Sequence, residues 1–398
     1  MIISVPGETA QGETRVALIP PVAEQLTEEG HDVYVTSGAG EGADWSDDEY
    51  REAGCEVLEE RSEVTEGSDV VLEVRGLAAD EKSTTDRYRE GQTVIGFLGP
   101  YGLDGELEDL ADRNIDAFAL ELMPRISRAQ SMDAVSSMDS VSGYRAATIA
   151  AESLPKMLPM EMTAAGTVQP ADAFVLGAGV AGLKAIATAE RLGASTVAND
   201  VRPEAKEEVE SLGADFVSVG EETEGMSDEE GYATEQEKSF EQKQKEMLMG
   251  VVPEADIVIT TAAIPGRPAP QPITSEMIEE MEDGSVVVDL AAESGGNCEP
   301  TVAGETVEHG GVEVRGPTNL PATIPQTASY LYSNNMKNFL DLLISDGDID
   351  IDTEDEIVDS TLLTHDGEVR APHRQEEGEG DEDGSDETED AEKKEAGE

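Results

Sequence analysis

Residues 173–200 read AFVLGAGVAGLKAIATAERLGASTVAND. An apolar run, Ala173 to Leu176, enters the turn Gly177-Ala-Gly179-Val180-Ala181-Gly182; a helical pattern follows, then Gly193, then a β-branched run that ends at Asp200. Strand, glycine turn, helix, strand, acid is the order of a dinucleotide-binding βαβ unit. In such a unit Gly177 permits the tight turn and Gly179 lets the backbone approach a pyrophosphate. Gly182 lets the helix lie close on its strand, and the N–H groups at the helix start face the phosphates. Asp200 stands where a carboxylate accepts from both adenosine ribose hydroxyls and repels a 2′-phosphate, so the reading is NAD(H) rather than NADP(H). A second glycine cluster, Gly38-Ala-Gly40-Glu-Gly42, is followed by Asp44, Trp45 and Asp47 in place of an apolar helix start, and reads as a loop.

The chain has 398 residues, with 26 Lys+Arg against 89 Asp+Glu and a formal net charge of −63. Such a charge repels nucleic acid and anionic lipid. It suggests either disorder or adaptation to a salty, haloarchaeal type of cytoplasm, where screening shortens self-repulsion to about 3 Å at molar salt. Regular apolar segments as far as about residue 345 favour the halophilic reading. Cys55 and Cys298 are far apart and read as reduced, structural thiols; His31, His309, His365 and His373 show no metal-ligand spacing. No signal peptide and no apolar run near 18 residues are present, so no direct membrane insertion is expected.

Residues 1–125 alternate strands (Ile2–Val5, Asp32–Thr36, Asp69–Val74, Thr93–Phe97, Ala117–Leu120) with helical patterns, which predicts a parallel sheet covered on both faces. Residues 126–165 carry no convincing strand; Ser142–Met157 suits a long helix ended near Pro159, within a connector. Residues 166–318 form the second α/β domain, with further strands at Asp215–Val219, Asp256–Thr260, Ser285–Leu290 and Val312–Arg315. The polar stretch from Gly220 to Gly250 is long for an α/β connection. It reads either as an acidic insertion or as a flap closing on the cofactor with Tyr232 at its tip. The helix at 325–344 is expected to complete the first domain, and 345–398 to be a disordered acidic tail. The fold class is therefore α/β: two Rossmann-like doubly wound parallel-sheet domains joined by long helices, plus that tail.

Three segments carry candidate chemistry. The connector opens with PRISRAQSMDAVSS (124–137), which gathers Arg125, Arg128, Gln130, Asp133, Ser136 and Ser137 where two α/β domains would meet; a polar linker with a helix cap at Ser131 or Asp133 would look the same. Thr261-Ala262-Ala263-Ile264 follows one strand and DLAAESGGN (289–297) the next, small residues that leave room for a nicotinamide ring. Asp289 reads as a loop or helix cap and Glu293 as a cleft residue. No histidine lies near any of these segments. Oxidation of an alcohol or amine must also move a proton, whereas hydride transfer between two nicotinamides needs positioning and water exclusion but no general base.

With these motifs go ETRVALIP (13–20), SGAGEGADWSDDEYREAG (37–54), GYRAA (143–147), NDVRPEAKEEVESLGA (199–214), TTAAIPGRPAP (260–270) and VVVDLAAESGGNCE (286–299). Together, over residues 1 to about 342, they resemble the NAD(H)-binding domain I of proton-translocating nicotinamide nucleotide transhydrogenases, whose relatives include the alanine dehydrogenases. The resemblance implies a homodimer that binds NAD(H) and docks on membrane-embedded transhydrogenase subunits, including a beta subunit that holds NADP(H). Its place would be cytoplasmic, peripheral to the inner face of the cell membrane. It implies that Arg125, Gln130 and Asp133 organise the reaction and that Ser136 belongs to the nicotinamide site. It also places Val180, Ala181, Val201, Arg202 and the Thr261–Ile264 loop around the dinucleotide and closes Tyr232 over it. Two alternatives stand beside this: an alanine dehydrogenase-like NAD-dependent amino-acid dehydrogenase, and a non-catalytic NAD-binding regulatory subunit. Gly99, where alanine dehydrogenases carry a histidine, and Glu293, where they carry an aspartate, follow the transhydrogenase form. Arg15 is common to both, and Arg75 stands where alanine dehydrogenases have a substrate lysine.

Overall fold

The computed structural model describes residues 1–77, 85–103, 105–219 and 230–371, in two units: Met1–Val135 with Ser329 onward, and Ser136–Ala328. In the first unit, short β-branched runs alternate with helices. In chain order these are β1 (Ile2–Val5), α1 (Pro20–Glu28), β2 (Asp32–Thr36), α2 (Asp47–Glu52), β3 (Glu56–Leu58), α3 (Arg61–Glu66), β4 (Val70–Leu72), β5 (Thr93–Gly96), α4 (Gly105–Asp112) and β6 (Asp116–Ala119). The six strands are parallel in the order β3-β2-β1-β4-β5-β6, a doubly wound arrangement whose switch point lies between β1 and β4. The Gly38–Gly42 segment is a loop with one 3-10 turn, Glu41–Ala43, and α2 starts only at its capping box, Ser46 with Glu49.

The second unit contains α5 (Ala134–Ser153, whose first two residues lie in the first unit), β7 (Glu161–Thr163), β8 (Gly166–Val168), β9 (Asp172–Leu176), α6 (Val180–Leu192), β10 (Ser195–Asn199), α7 (Ala205–Ser211), β11 (Asp215–Phe216), α8 (Glu230–Val251), β12 (Ile257–Thr260), α9 (Ser275–Glu279), β13 (Val286–Asp289), β14 (Thr306–His309) and β15 (Val312–Arg315). Sheet order is β11-β10-β9-β12-β13-β15-β14, parallel except for β14. Its central strands are apolar throughout because both faces are covered. Ala173, Val175, Ile257, Ile259, Val286 and Val288 share a core with Ala185, Ile186 and Ala189 of α6. Phe174, Leu176, Val258 and Val287 pack with Leu248 in the last turn of α8, with Val252 just after it, and with Met277 and Ile278 of α9.

Three expectations are corrected here. The long helix starts at Ala134 and stops before Pro155, because the residue before a proline is held out of helical geometry; an exposed hairpin, β7–β8, then follows. The polar stretch before Gly250 is not wholly a flap: residues 230–251 form the crossover helix α8, whose C-terminal end is anchored in the core by Leu248. Residues 220–229, and the side chain of Tyr232, lie outside the described residues.

The third correction concerns the tail. From α10 (Pro325–Leu343), whose residues from Ser329 belong to the first unit, the chain continues as β16 (Ile344–Ser345), β17 (Asp348–Ile349), α11 (Glu356–Thr361), β18 (Leu362–His365) and β19 (Glu368–Val369). Residues 345–371 are therefore folded. β18 pairs antiparallel with β6, and β19 with β18. The acids there serve turns: Asp346-Gly347 and Asp366-Gly367 hold φ of 52°, 90°, 50° and 77°, the backbone that tight two-residue hairpins demand. Residues 372–398 lie outside the described residues.

Candidate dinucleotide site

In the second unit Gly177–Gly182, Asp200–Arg202 and Thr261–Ile264 follow the carboxyl ends of β9, β10 and β12, the switch point of the sheet. The three glycines have different causes. Gly177 has φ 93°, and a Cβ on it would lie 2.5 Å from Thr261 Oγ1. A Cβ on Gly182 would lie 1.9 Å from the Gly177 carbonyl oxygen, so this glycine sets how closely α6 lies on β9. Gly179 has an ordinary φ of −74°, and its Cβ would meet nothing within 4 Å. Neither strain nor packing within the chain calls for glycine there; a ligand lying against the backbone would. Gly179 is also the N-cap of α6 and carries no side-chain cap. The first-turn N–H groups of a helix have no intrahelical acceptor, and the helix dipole favours an anion beside them. The chain thus leaves a cradle that fits a pyrophosphate.

Asp200 follows β10 and does two things. Its Oδ2 accepts the buried Ala178 N–H at 2.7 Å, which fixes the middle of the glycine turn, and its Oδ1 accepts the Arg202 N–H at 2.8 Å. The Arg202 guanidinium pairs with the same carboxylate and also donates to the Ala178 carbonyl oxygen. Burial pushes the Asp200 pKa up, but the Arg202 guanidinium and the two N–H groups outweigh it, so the carboxyl sits below the usual range and is an acceptor at neutral pH. Three apolar side chains at this edge face solvent: Val180 is 43% exposed, Val201 68% and Ile264 49%. Exposed apolar groups beside a polar cradle are the make-up of a small-ligand pocket.

The Thr261–Ile264 loop is held from beneath. Thr261 Oγ1 donates to the Gly177 carbonyl at 3.1 Å. The buried Asn297 accepts the Ala262 N–H at 3.0 Å and donates to the Ala262 and Pro270 carbonyls at 2.7 and 2.8 Å. Asp289, fully buried, takes five donors: Thr260, Ala291, Asn297, Cys298 and Thr301. It is the loop cap expected of it. The part played by Asn297 has no signal in the DLAAESGGN motif, because an amide that satisfies a buried loop cannot be recognised from composition. Ser136 lies in the first turn of α5, and Glu293 is exposed. A Cβ on Gly143 of α5 would lie 2.0 Å from the Ala181 carbonyl, which explains glycine in the GYRAA motif by helix contact.

In the first unit, Arg125 and Gln130 are exposed and Asp133 half-buried, in a loop with one 3-10 turn, Ser127–Ala129. Near the carboxyl ends of that unit's sheet, Arg15 is buried and bound bidentately by Glu13 at 2.7 and 2.6 Å. Glu8 accepts the N–H groups of Val74 and Arg75, and Glu121 those of Leu98 and Gly99. Burial, with Glu73 nearby, pushes Glu8 up to about 7, and burial pushes Glu121 up to about 7. The three described histidines sit at the opposite, amino-terminal edges of the sheets. His31 precedes β2, His309 ends β14 opposite Val312, and His365 bonds Asp116 at the start of β6.

Family models described as Alanine dehydrogenase/PNT match the chain in two stretches, the N-terminal domain over residues 4–142 and the C-terminal domain over 146–372. The chain belongs to the alanine dehydrogenase/PNT family. Within this family it is 44% identical to NAD(P) transhydrogenase subunit alpha of Cereibacter sphaeroides over 376 residues, 94% of this chain and 71% of that protein. It is 43% identical to an NAD(P) transhydrogenase subunit alpha polypeptide of Rhodospirillum rubrum over 382 residues, 94% of this chain and 98% of that one. The crystal structure of transhydrogenase from Sinorhizobium meliloti matches with a TM-score of 0.82 at 44% identity, covering 93% of this chain and all of that one. Among the described residues no helix is long and apolar enough to cross a membrane.

Proposed function

We propose that this chain is the NAD(H)-binding subunit of a proton-translocating transhydrogenase, passing hydride directly between NAD(H) and NADP(H) held on a partner subunit. In this reading the Gly177–Gly182 turn holds the pyrophosphate and Asp200 the adenosine ribose. Val180, Ala181, Val201, Arg202 and the Thr261–Ile264 loop line the dinucleotide, and Ser136 and Tyr232 complete its site. Arg125, Gln130 and Asp133 orient the nicotinamide for transfer. The chain acts as a homodimer on the cytoplasmic face of the membrane, held there by its membrane-embedded partners, in a halophilic cell.

The reduced nicotinamide supplies the hydride; the protein has only to bind, orient and keep water out. The observation that carries the reading is the composition of the β9–β10–β12 edge. It has a glycine that neither strain nor packing within the chain requires, an acid directly after β10 and a loop of small residues, with the described histidines at the other edge of the sheets. An amino-acid dehydrogenase needs a proton carrier and a cation free for the substrate carboxylate. Arg15 is paired with Glu13, while Arg75 and the raised carboxyls Glu8 and Glu121 stand at the same end of the first unit's sheet, so the pyruvate assay distinguishes the two readings.

The test uses the whole chain in molar KCl with a transhydrogenase NADP(H)-binding subunit, following reduction of an NAD analogue by NADPH. Pyruvate, ammonia and NADH are given in parallel to the chain alone. Analogue reduction that needs both proteins supports the proposal; pyruvate turnover by the chain alone overturns it. Gln130→Asn should slow transfer far more than it weakens NADH binding, and equal losses would count against the role of Gln130.

A further inference from the structure

The Arg125–Asp133 loop is shaped locally by the 3-10 turn Ser127–Ala129, by backbone bonds from Ala129 N–H to Ile126 and from Met132 N–H to Ala129, and by the buried Ala129. Two sets of side-chain contacts, both within the first unit, tie it to the C-terminal elements. Arg128 forms a two-point fork on Asp355, NH1 to Oδ2 at 2.7 Å and NH2 to Oδ1 at 2.8 Å. The Ser131 carbonyl accepts from Asn335 Nδ2 at 2.9 Å and from Asn338 Nδ2 at 3.2 Å, both on α10. Gln130 lies between these anchors. A fork of parallel charged hydrogen bonds fixes direction as well as distance.

In a chain with 89 acids, an arginine facing an acid is unremarkable by count; Asp355 differs in how it is held. It is the N-cap of α11, accepting the Ile357 N–H at 2.9 Å, and α11 is seated by the buried Ile357 and Val358. The acid is therefore fixed before Arg128 reaches it. The helix that fixes it belongs to the C-terminal segment whose composition resembles a solvated tail.

We infer that Asp355, with Asn335 and Asn338, is a positioning residue that sets the place of Gln130 through Arg128 and Ser131; the inference rests on the proposed hydride-transfer role of that loop. A purely structural surface pair would add little to stability and nothing to rate, so stability and transfer should separate.

The decisive variant is Asp355→Asn, which keeps an acceptor for the Ile357 N–H but loses the charged fork. Three quantities are read on the full chain in molar KCl: deuterium exchange of amides 126–133, the NADH Kd, and the rate of NAD-analogue reduction by NADPH with the NADP(H)-binding subunit. Exchange should quicken several-fold, Kd stay within about 2-fold, and transfer fall by roughly 10- to 100-fold, the scale of a small misplacement of reacting groups. Asp355→Glu, which restores the charge, should recover part of the rate. Unchanged exchange and transfer in Asp355→Asn overturn the inference, as does an equal loss of NADH binding and transfer. If the wild-type chain transfers no hydride, the functional reading fails. Exchange then decides the positioning claim alone: faster exchange sustains it and unchanged exchange ends it.

Discussion

Gly179 offers the sharpest separation of fold from function in this molecule. Gly179→Ala adds one methyl to a position with φ −74° and no atom within 4 Å of the new Cβ. No strain and no overlap follow, so stability should stay within about 1 kcal/mol of wild type, the usual size of an unstrained glycine or N-cap change. If that space belongs to a pyrophosphate, the methyl lifts the anion off the helix N-terminus. Hydrogen bonds to a charged group are worth about 1.5–3 kcal/mol each; losing one weakens NADH binding by roughly 10- to 100-fold at 1.4 kcal/mol per decade. The control is Gly182→Ala, whose Cβ would lie 1.9 Å from a backbone oxygen; it must prise α6 from β9 and should cost about 1–3 kcal/mol or more. NADH fluorescence titration and urea unfolding, both in molar KCl, measure the two quantities. Wild-type NADH affinity in a folded Gly179→Ala protein would refute the assignment. Unfolding of Gly179→Ala as severe as that of Gly182→Ala would refute the packing argument.

Asp200→Ala removes both the ribose acceptor and the acceptor of the buried Ala178 N–H; calorimetry should show NADH binding at least ~10-fold weaker, with NADPH losing less because Arg202 is freed. Glu121 has a folded pKa of about 7 against 4.5. Between these values the unfolded chain has released its proton while the folded chain keeps it, so stability falls as pH rises from 4.5 to 7, by about 3 kcal/mol. Glu121→Gln should flatten that slope in urea unfolding at pH 5.5 and 8, and a wild-type slope would exclude Glu121 as its source; Glu8 contributes with the same sign. With a net charge of −63, dilution from molar to about 0.01 M KCl lengthens screening from about 3 to 30 Å and should unfold the chain, as followed by circular dichroism.

Periodicity and glycine chemistry made most of this architecture legible. The β9–α6–β10 unit, the flanking strands and the place of Asp200 follow from apolar runs bounded by glycines. Short elements did not announce themselves: β3 is three residues of which one is exposed and none fully buried, and β7–β8 is exposed throughout, so neither writes a hydrophobic pattern. The segment after 345 was obscured by charge, although its Asp-Gly pairs are a hairpin signature in their own right. Asn297, Asn335 and Asn338 act through hydrogen bonds to distant backbone, which no local spacing encodes. The dinucleotide cradle was readable because its chemistry is local to one βαβ unit; the support of the Gln130 loop was not, because Arg128 and Asp355 are 227 residues apart in sequence.

The pairing of β18 with β6 bears on what this protein avoids. Without it, the parallel sheet of the first unit would end on β6, with a row of unpaired N–H and carbonyl groups beside the apolar Ala117, Phe118 and Ala119. A bare edge of that kind recruits strands from other molecules. The irregular register between Leu362 and Thr364, and a final strand of two residues, bring the sheet to a close. A chain cut where acidity begins to dominate, near residue 345, would lose that closure and gain a tendency to stick to itself, in spite of the negative charge spread over the rest of its surface.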